Sequence, residues 1–177
     1  MRRLVRWIGS GIGLGIGLAL LLAGAAQAQA WTAVSPEGSR CKVDMPGAPT
    51  LETVPLNSPG QTLILTEAKV QAGGGSFLMS WVDYPERIAM SASSDVMLDK
   101  VRDGMAAGNT LRGEKKLTLG RAQGREFTVT QANGSVSAVR LYWARNRLYQ
   151  LAVTGRAGVE SLPETRHFFE SFAIVRS

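Results

Sequence analysis

The chain contains few residues that could perform acid–base or nucleophilic chemistry. It has one histidine, His167, and one cysteine, Cys41, among 177 residues. A serine hydrolase would need His167 as its base, and Gly74-Gly75-Ser76 lacks the glycine that follows the serine in a nucleophile elbow. Cys41 alternates with apolar strand positions, which predicts a buried side chain. We therefore expect no enzyme activity and keep a cryptic hydrolase or metal enzyme as the less favoured alternative.

The sequence contains only incomplete motifs for binding a metal or a phosphate group. Glu160, Glu164 and His167 follow one another at helical spacing, and Glu-x-x-His is half of a carboxylate-bridged metal site. The second such motif is missing from the sequence, so a solvated helix face is the simpler interpretation. The triple glycine at 73–75 has no Lys-Ser/Thr after it, as a phosphate loop would require. We predict neither a metal nor a cofactor.

The first thirty residues have the layout of a secretory signal peptide. Three arginines precede an uncharged, mostly apolar stretch over residues 8–24, and two Ala-x-Ala sites end at Ala28 and Ala30. An uncleaved anchor over residues 8–26, with glycines at GxxxG spacing, is the alternative. Ala25 stands where a lipoprotein would carry its lipidated cysteine. We expect a cleaved signal, no lipid anchor, and a periplasmic or secreted product.

Cleavage would leave residues 31–177 as a single domain and would change the charge. The whole chain has 20 basic and 14 acidic residues, a net charge of +6, and loss of three signal arginines reduces this to +3. That removes the main argument for nucleic-acid binding, and we expect none. No segment after residue 30 is long and apolar enough to span a membrane. The remaining basic residues concentrate in the second half, as a basic rim for acidic partners or anionic lipid headgroups: Arg112, Lys115, Lys116, Arg121, Arg125, Arg140, Arg145, Arg147 and Arg156.

Periodicity and turn residues predict four strands, a helix, four strands, a second helix and a last short strand. The helices are expected from a cap at Ser94 to Gly108-Asn109, and from a capping box at Ser161 to about residue 171. Proline and glycine make 56–60 a turn region. This order predicts an α+β fold with a mainly antiparallel sheet flanked by two helices. The strands are expected at 31–34, 40–45, 62–70, 76–84, 111–119, 124–131, 135–144, 148–154 and 172–175.

The Asn133-Gly134 turn decides which side chains share a face. A two-residue loop would place Phe127 opposite Arg140 and mix core with solvent positions. A three-residue loop over 132–134 instead puts the apolar residues on one face, so we predict that loop with Gly134 left-handed. The apolar set is Phe127, Val129, Val139, Leu141 and Trp143.

The opposite face of this half-sheet is the best candidate for an interaction surface. We assign to it Glu126, Arg140, Tyr142 and Gln150, together with Thr128 and Thr130. A tyrosine and an arginine on a polar face can supply contact area and directional hydrogen bonds. If a helix covers the face, the same residues form a polar layer inside the protein instead.

Several short motifs resemble those of small exported bacterial proteins with a PsbP-like fold, a fold named after an extrinsic photosystem II subunit. The resemblance extends over nearly all of residues 31–176. It implies a central antiparallel sheet flanked by helices in an αβα sandwich, and a binding or accessory role without catalysis. The motifs are Trp31, Ser35-Pro36-Glu37-Gly38, Met45-Pro46-Gly47-x-Pro49, Trp81-Val82-Asp83-Tyr84-Pro85, Asp99-x-x-Arg102-Asp103-Gly104, Gly124-Arg125-Glu126-Phe127, Arg140-Leu141-Tyr142 and Asn146-Arg147-Leu148-Tyr149-Gln150-Leu151.

Two functions follow as hypotheses. The first is a non-enzymatic binding or accessory domain that contacts a protein or another component of the cell envelope through its second-half surface. The alternative is a small carrier that encloses an apolar ligand around Trp81, Tyr84 and Trp143, which would need a cavity of several hundred cubic ångströms, as is usual for ligand pockets.

Overall fold

The computed structural model describes residues 30–58 and 61–175, so the predicted signal peptide lies almost entirely outside the described residues. The helices are α1 (Glu86–Ala89), α2 (Ser94–Ala106) and α3 (Pro163–Ser171), with a 3₁₀ turn at Val159–Ser161. The strands are β1 (Thr32–Val34), β2 (Cys41–Met45), β3 (Thr50–Ser58), β4 (Gln61–Ala72), β5 (Gly75–Asp83), β6 (Thr110–Leu119), β7 (Ala122–Thr130), β8 (Val136–Ala144), β9 (Arg147–Gly155) and β10 (Ala173–Ile174).

Seven strands form one sheet in the order β3-β4-β5-β9-β8-β7-β6. Every neighbouring pair in it is antiparallel. The second sheet is small, with the order β1-β2-β10. The α+β class and the mainly antiparallel sheet are confirmed.

The sequence prediction missed β3. Residues 56–60 were expected to be a turn, but Thr50–Ser58 is a nine-residue strand that pairs with β4. Pro55 lies within it and cannot donate a hydrogen bond to a ladder. β3 is the outermost strand of the sheet, where one side has no partner strand and a missing N–H costs little. The proline is compatible with a strand because β3 lies at the edge of the sheet, and the sequence does not reveal this place in the strand order.

The large sheet carries an apolar core on each face. β5 contributes to both: Phe77, Met79 and Trp81 belong to one core, and Val82 to the other. The first core lies under α3 and the small sheet and includes Cys41, Phe168 and Phe172. The second lies under α1 and α2 and includes Met97, Leu98, Phe127, Leu141 and Trp143. β5 is therefore covered on both of its faces.

The β7–β8 hairpin has the predicted loop. Phe127 pairs with Val139, and Gly134 has a φ of 81°. The Gln131 amide donates to the Ser135 carbonyl at 2.9 Å and closes a loop of three residues. All five predicted core residues of the hairpin belong to the core under α2. The register that separates apolar from polar residues is therefore the one that forms.

A charged network attaches α2 to the sheet. The Arg125 side chain is only 3% exposed, and its guanidinium bonds Asp99 at 3.1 Å and also Asp95, both on α2. Arg102 lies beside it and pairs with Asp99 at 3.2 Å and with Glu114 of β6. A buried guanidinium needs such partners because it cannot lose its charge. The helix therefore docks through ion pairs as well as through Met97 and Leu98.

The ends of both longer helices differ from the prediction. The cap of α2 is Ser93, whose hydroxyl accepts from the Val96 amide at 3.3 Å. The capping box at Ser161 does not form, because that residue lies in the 3₁₀ turn and α3 starts with Pro163. Leu162, the residue before Pro163, is 44% exposed. Proline at the first helical position supplies the starting φ without a side-chain cap.

No described helix is long or apolar enough to cross a bilayer.

Candidate functional site

The structure places three of the four predicted interaction residues together. Glu126 lies opposite Arg140 on neighbouring strands. The Arg140 guanidinium bonds the Glu126 carboxylate, which also receives Lys115 Nζ at 2.6 Å. Burial alone would raise the pKa of Glu126, but the hydrogen bonds from Lys115 and Arg140 outweigh it and lower the pKa. This carboxylate is therefore ionised, and each of its two oxygens bonds a basic side chain of a neighbouring strand.

α3 and Phe172 cover part of the face that carries these residues. Tyr142 is 5% exposed and stacks on Phe172 with ring centroids 5.6 Å apart. The Arg140 guanidinium lies over the Phe169 ring of α3 at 4.8 Å. Burial also raises the pKa of the Tyr142 phenol. The sequence left open an exposed interaction surface or a polar layer beneath a helix, and Tyr142 belongs to such a layer. Its buried side chain therefore cannot contact a partner from this position.

Gln150 does not lie with the other three, and this corrects the prediction. It pairs with Leu141 on β8 and with Ser80 on β5. Directly paired residues of antiparallel strands point to the same face. Gln150 therefore lies on the α2 side, whereas Arg140 pairs with Leu151 on the α3 side.

The expected carrier pocket is divided by the sheet. Trp81 pairs with Tyr149 and belongs to the core under α3. Trp143 belongs to the core under α2, where Tyr84 packs against it with ring centroids 5.1 Å apart. Aromatic side chains on opposite faces of one sheet cannot line the same cavity, so the expectation of a pocket shared by these three residues is wrong.

A groove of about 740 Å³ lies at one end of the large sheet, and the sequence did not predict it. The β6–β7 and β8–β9 turns, the start of β2 and the C-terminal β10 segment border it. Among the described residues, its lining holds three arginines and no acidic residue. The lining residues are Arg40, Leu119, Gly120, Arg121, Ala122, Ala144, Arg145, Tyr149, Ala173, Ile174 and Val175.

The three groove arginines, Arg40, Arg121 and Arg145, are exposed. None of them forms a salt bridge within 4.0 Å with a carboxylate of the described chain. Guanidinium groups offer five donors each in a planar fork that suits carboxylate and phosphate oxygens. The groove therefore presents positive charge that its own side chains leave unneutralised.

A buried arginine holds the Arg40 segment in place. The Arg147 side chain, 5% exposed, bonds the Asp83 carboxylate at 2.6 Å and donates to the carbonyls of Gly38 and Ser39 at 2.7 and 2.6 Å. The hydrogen bond from Arg147 lowers the pKa of Asp83. Tyr149 Oη donates to the Ser39 carbonyl at 3.0 Å. The position of Arg40 is thus fixed from below by side chains of β9.

Two of the groove arginines have an unusual backbone conformation. Arg40 and Arg145 have φ values of 53° and 59°, and they are the two described non-glycine residues with positive φ. In the neighbouring β6–β7 turn, the equivalent first loop position is Gly120, with a φ of 60°. Glycine adopts this region freely, whereas other residues pay about 1–3 kcal/mol in it. Backbone geometry favours glycine at these two positions, so it does not explain why they are arginines.

The residues considered for catalysis or metal binding have structural contacts. Cys41 is fully buried, with its sulfur 3.8 Å from that of Met79, and burial raises the pKa of its thiol. His167 Nε2 lies 3.1 Å from Asp44 Oδ2. Ser171 is also near Asp44, but its hydroxyl donates to the Phe168 carbonyl and accepts from the Asp44 amide. These bonds attach α3 to β2 and do not make a nucleophile–base pair.

The row of residues weighed as candidate metal ligands is interrupted in the structure. Glu160 lies in the 3₁₀ turn, outside α3, and accepts a hydrogen bond from the Gly158 amide. Within the described residues, no group of three or more candidate ligands is close enough to hold a metal ion.

No protein-family model and no curated protein matches the chain. Solved structures do match, among them the crystal structure of a protein of unknown function from Pseudomonas aeruginosa. It is 9% identical, has a TM-score of 0.32, and the alignment covers 73% of this chain and 85% of that one. A TM-score this low supports neither a shared fold nor a shared function.

Proposed function

We propose that this protein is an exported, non-enzymatic binding domain of the cell envelope, and that the arginine groove is its binding site. The observation that carries the proposal is the convergence of Arg40, Arg121 and Arg145 on one groove, whose lining in the described part of the chain contains no acidic residue. Unneutralised like charges in a concave surface attract an anion from solution and hold it by charge-assisted hydrogen bonds.

Two further observations favour the groove over the Arg140 face. The groove arginines are exposed, whereas Tyr142 is buried against Phe172 and the Arg140 guanidinium lies over the Phe169 ring of α3. Its volume of about 740 Å³ also falls within the range of about 300–1,000 Å³ that ligand sites occupy. The proposal keeps the predicted class of function and moves the site to the end of the sheet.

Export to the periplasm or beyond belongs to the same proposal. Its support is the layout of residues 1–30, with arginines, an apolar stretch and two Ala-x-Ala sites. We also propose the PsbP-like αβα arrangement for the fold, with α2 and α3 on opposite faces of the large sheet in its favour.

Binding of inorganic phosphate, followed by NMR on the chain from residue 31 onward, tests the proposed site. Saturable shifts are expected in the amides of 120–122 and 144–146, and the triple variant Arg40→Glu, Arg121→Glu, Arg145→Glu should lose them. The matched control reverses Arg87, Arg112 and Arg156, which are exposed and lie outside the groove lining. Equal loss in both triple variants would show a general charge effect and contradict the assignment.

A further inference from the structure

The groove has an apolar half beside its charged half. Leu119, Ala144 and Ile174 line it while packing against the core under α3. Val175 also lines it and is 45% exposed. An apolar strip thus runs from the core to the surface at the place where the arginines meet. Such a strip gains free energy when an apolar group covers it.

No simple ligand makes favourable contacts with both halves of the groove. Inorganic phosphate would meet the guanidinium groups but leave Leu119, Ile174 and Val175 in water. A purely apolar ligand would cover that strip and bring no charge to the arginines. A ligand with an acidic head and an apolar chain satisfies both halves at once.

We infer that the groove binds an anionic amphiphile, with its carboxylate or phosphate head at Arg40, Arg121 and Arg145 and its alkyl chain along Leu119, Ile174 and Val175. The inference rests on the proposed function and adds the chemical class of the ligand. Free fatty acids and single-chain phospholipids share this chemistry.

An acidic peptide is the main competitor and fits the apolar strip less well. Its backbone N–H and C=O groups would lose water over side chains that offer no hydrogen bonds, and such groups are costly to bury unpaired. An alkyl chain has no polar groups to satisfy. The lining chemistry therefore favours the amphiphile.

A chain-length series tests the inference. Dissociation constants of butanoate, hexanoate, octanoate and decanoate are measured by titration calorimetry, below the concentrations at which they form micelles. Burial of the chain predicts about two- to fourfold tighter binding per added methylene until the strip is filled. Octyl phosphate and free phosphate, compared in the same way, distinguish a lipid-like headgroup from a simple anion. Decanol and decyltrimethylammonium test the need for the negative head and should bind at least tenfold more weakly than decanoate.

One variant in the apolar half of the groove, with a matched control elsewhere, separates the two halves of the site. Leu119→Ser should flatten the chain-length dependence and leave phosphate binding unchanged. Leu51→Ser, at an exposed leucine on β3 far along the sheet order from the groove, is the matched control and should leave the whole series unchanged. Thermal unfolding of each variant checks that it folds.

The possible failures are distinguishable. If phosphate binds at the groove but chain length adds nothing, the amphiphile is overturned and the proposed anion site stands. If neither phosphate nor any carboxylate binds, both are overturned. If decyltrimethylammonium binds as tightly as decanoate, or a peptide of consecutive aspartates displaces decanoate with higher affinity, the ligand class is wrong.

Discussion

The structure uses arginine in two contrasting ways. Arg125 and Arg147 are buried beneath the surface, and their guanidinium groups donate hydrogen bonds to carboxylates and carbonyls of the chain. The groove arginines are exposed and have no carboxylate within salt-bridge distance in the described chain. The residue type is the same, but its partners differ.

The difference indicates which positive charges are available for binding. Removing a buried, paired guanidinium destabilises the fold because its partners lose their counter-charge, and its donors already bond groups of the chain. An exposed one gives little stability and can exchange water for a ligand anion. The buried and the groove arginines are also connected through the backbone, because Arg147 bonds the carbonyls of Gly38 and Ser39, which precede Arg40.

Arg125→Ala should have the largest effect on stability. It removes the buried partner that Asp95 and Asp99 share, leaving them with Lys116 and Arg102 alone, and opens a cavity between α2 and β7. We expect a loss of about 2–3 kcal/mol in the free energy of unfolding, measured by urea denaturation. Arg121→Ala is the matched control and should change it by less than about 0.5 kcal/mol. Equal losses in the two variants would contradict the distinction between paired and groove arginines.

Arg147→Lys should follow, with a loss of about 2 kcal/mol. Lysine keeps the charge but cannot bond the Asp83 carboxylate and two carbonyls at once with a planar fork. Amide hydrogen exchange of residues 38–41 should accelerate more than that of 124–126, because Arg147 holds the first segment and does not contact the second. Unchanged exchange at 38–41 would show that this loop does not depend on Arg147.

Asp83→Asn should change the acid dependence of stability. The bond from Arg147 lowers the pKa of Asp83 in the folded state, so the carboxylate stabilises the fold above its unfolded pKa of about 3.9. That contribution disappears as the pH falls through the lower folded value. Near neutral pH the variant should be less stable by about 1 kcal/mol, since Asp83 is half-exposed.

The gap between wild type and Asp83→Asn should therefore narrow as the pH falls from about 5 towards 2. Urea denaturation at a series of pH values measures it. A gap that is constant across this range would contradict the assignment of the lowered pKa to the folded-state bond with Arg147.

Arg145→Gly should have the smallest effect on stability, in the opposite direction. Glycine removes the strain of the positive φ, while the greater freedom of the unfolded chain offsets part of the gain. We expect a gain of about 0.5 kcal/mol, seen as a higher midpoint of thermal unfolding. Binding of octanoate should weaken about fivefold through loss of one charge. A destabilised variant with unchanged binding would place Arg145 among the structural arginines.

The β7–β8 and β8–β9 hairpins show how much of the strand register can be predicted from the sequence. The β7–β8 loop could be predicted in detail, because an odd loop was the one that kept Phe127 and Val139 on the same face. The same argument failed for Gln150, which was assigned to a face without knowing its partner on β8. Its pairing with Leu141 is set by the two-residue Arg145–Asn146 turn. One error in register parity moved a residue to the other side of the sheet.

β3 and α3 show a second limit. Proline and glycine predicted a turn over 56–60 and no strand before it, but residues 50–58 form β3, an outer strand of the described sheet that tolerates a proline on its unpaired side. The capping box at Ser161 had the right residue types, yet the chain formed a 3₁₀ turn first and began α3 at Pro163. Local propensity was correct about the presence of a helix and wrong about its first residue.

The sequence by itself determined the alternation of strand and helix, the antiparallel class and the odd-length hairpin loop, because these depend on spacings within a few residues. Only the tertiary structure decided which arginines are paired and which are free. Arg40, Arg121 and Arg145 are far apart in the sequence and meet because β2 and the two turns lie at the same end of the fold. Convergence of this kind depends on strand order and register, which no local pattern encodes.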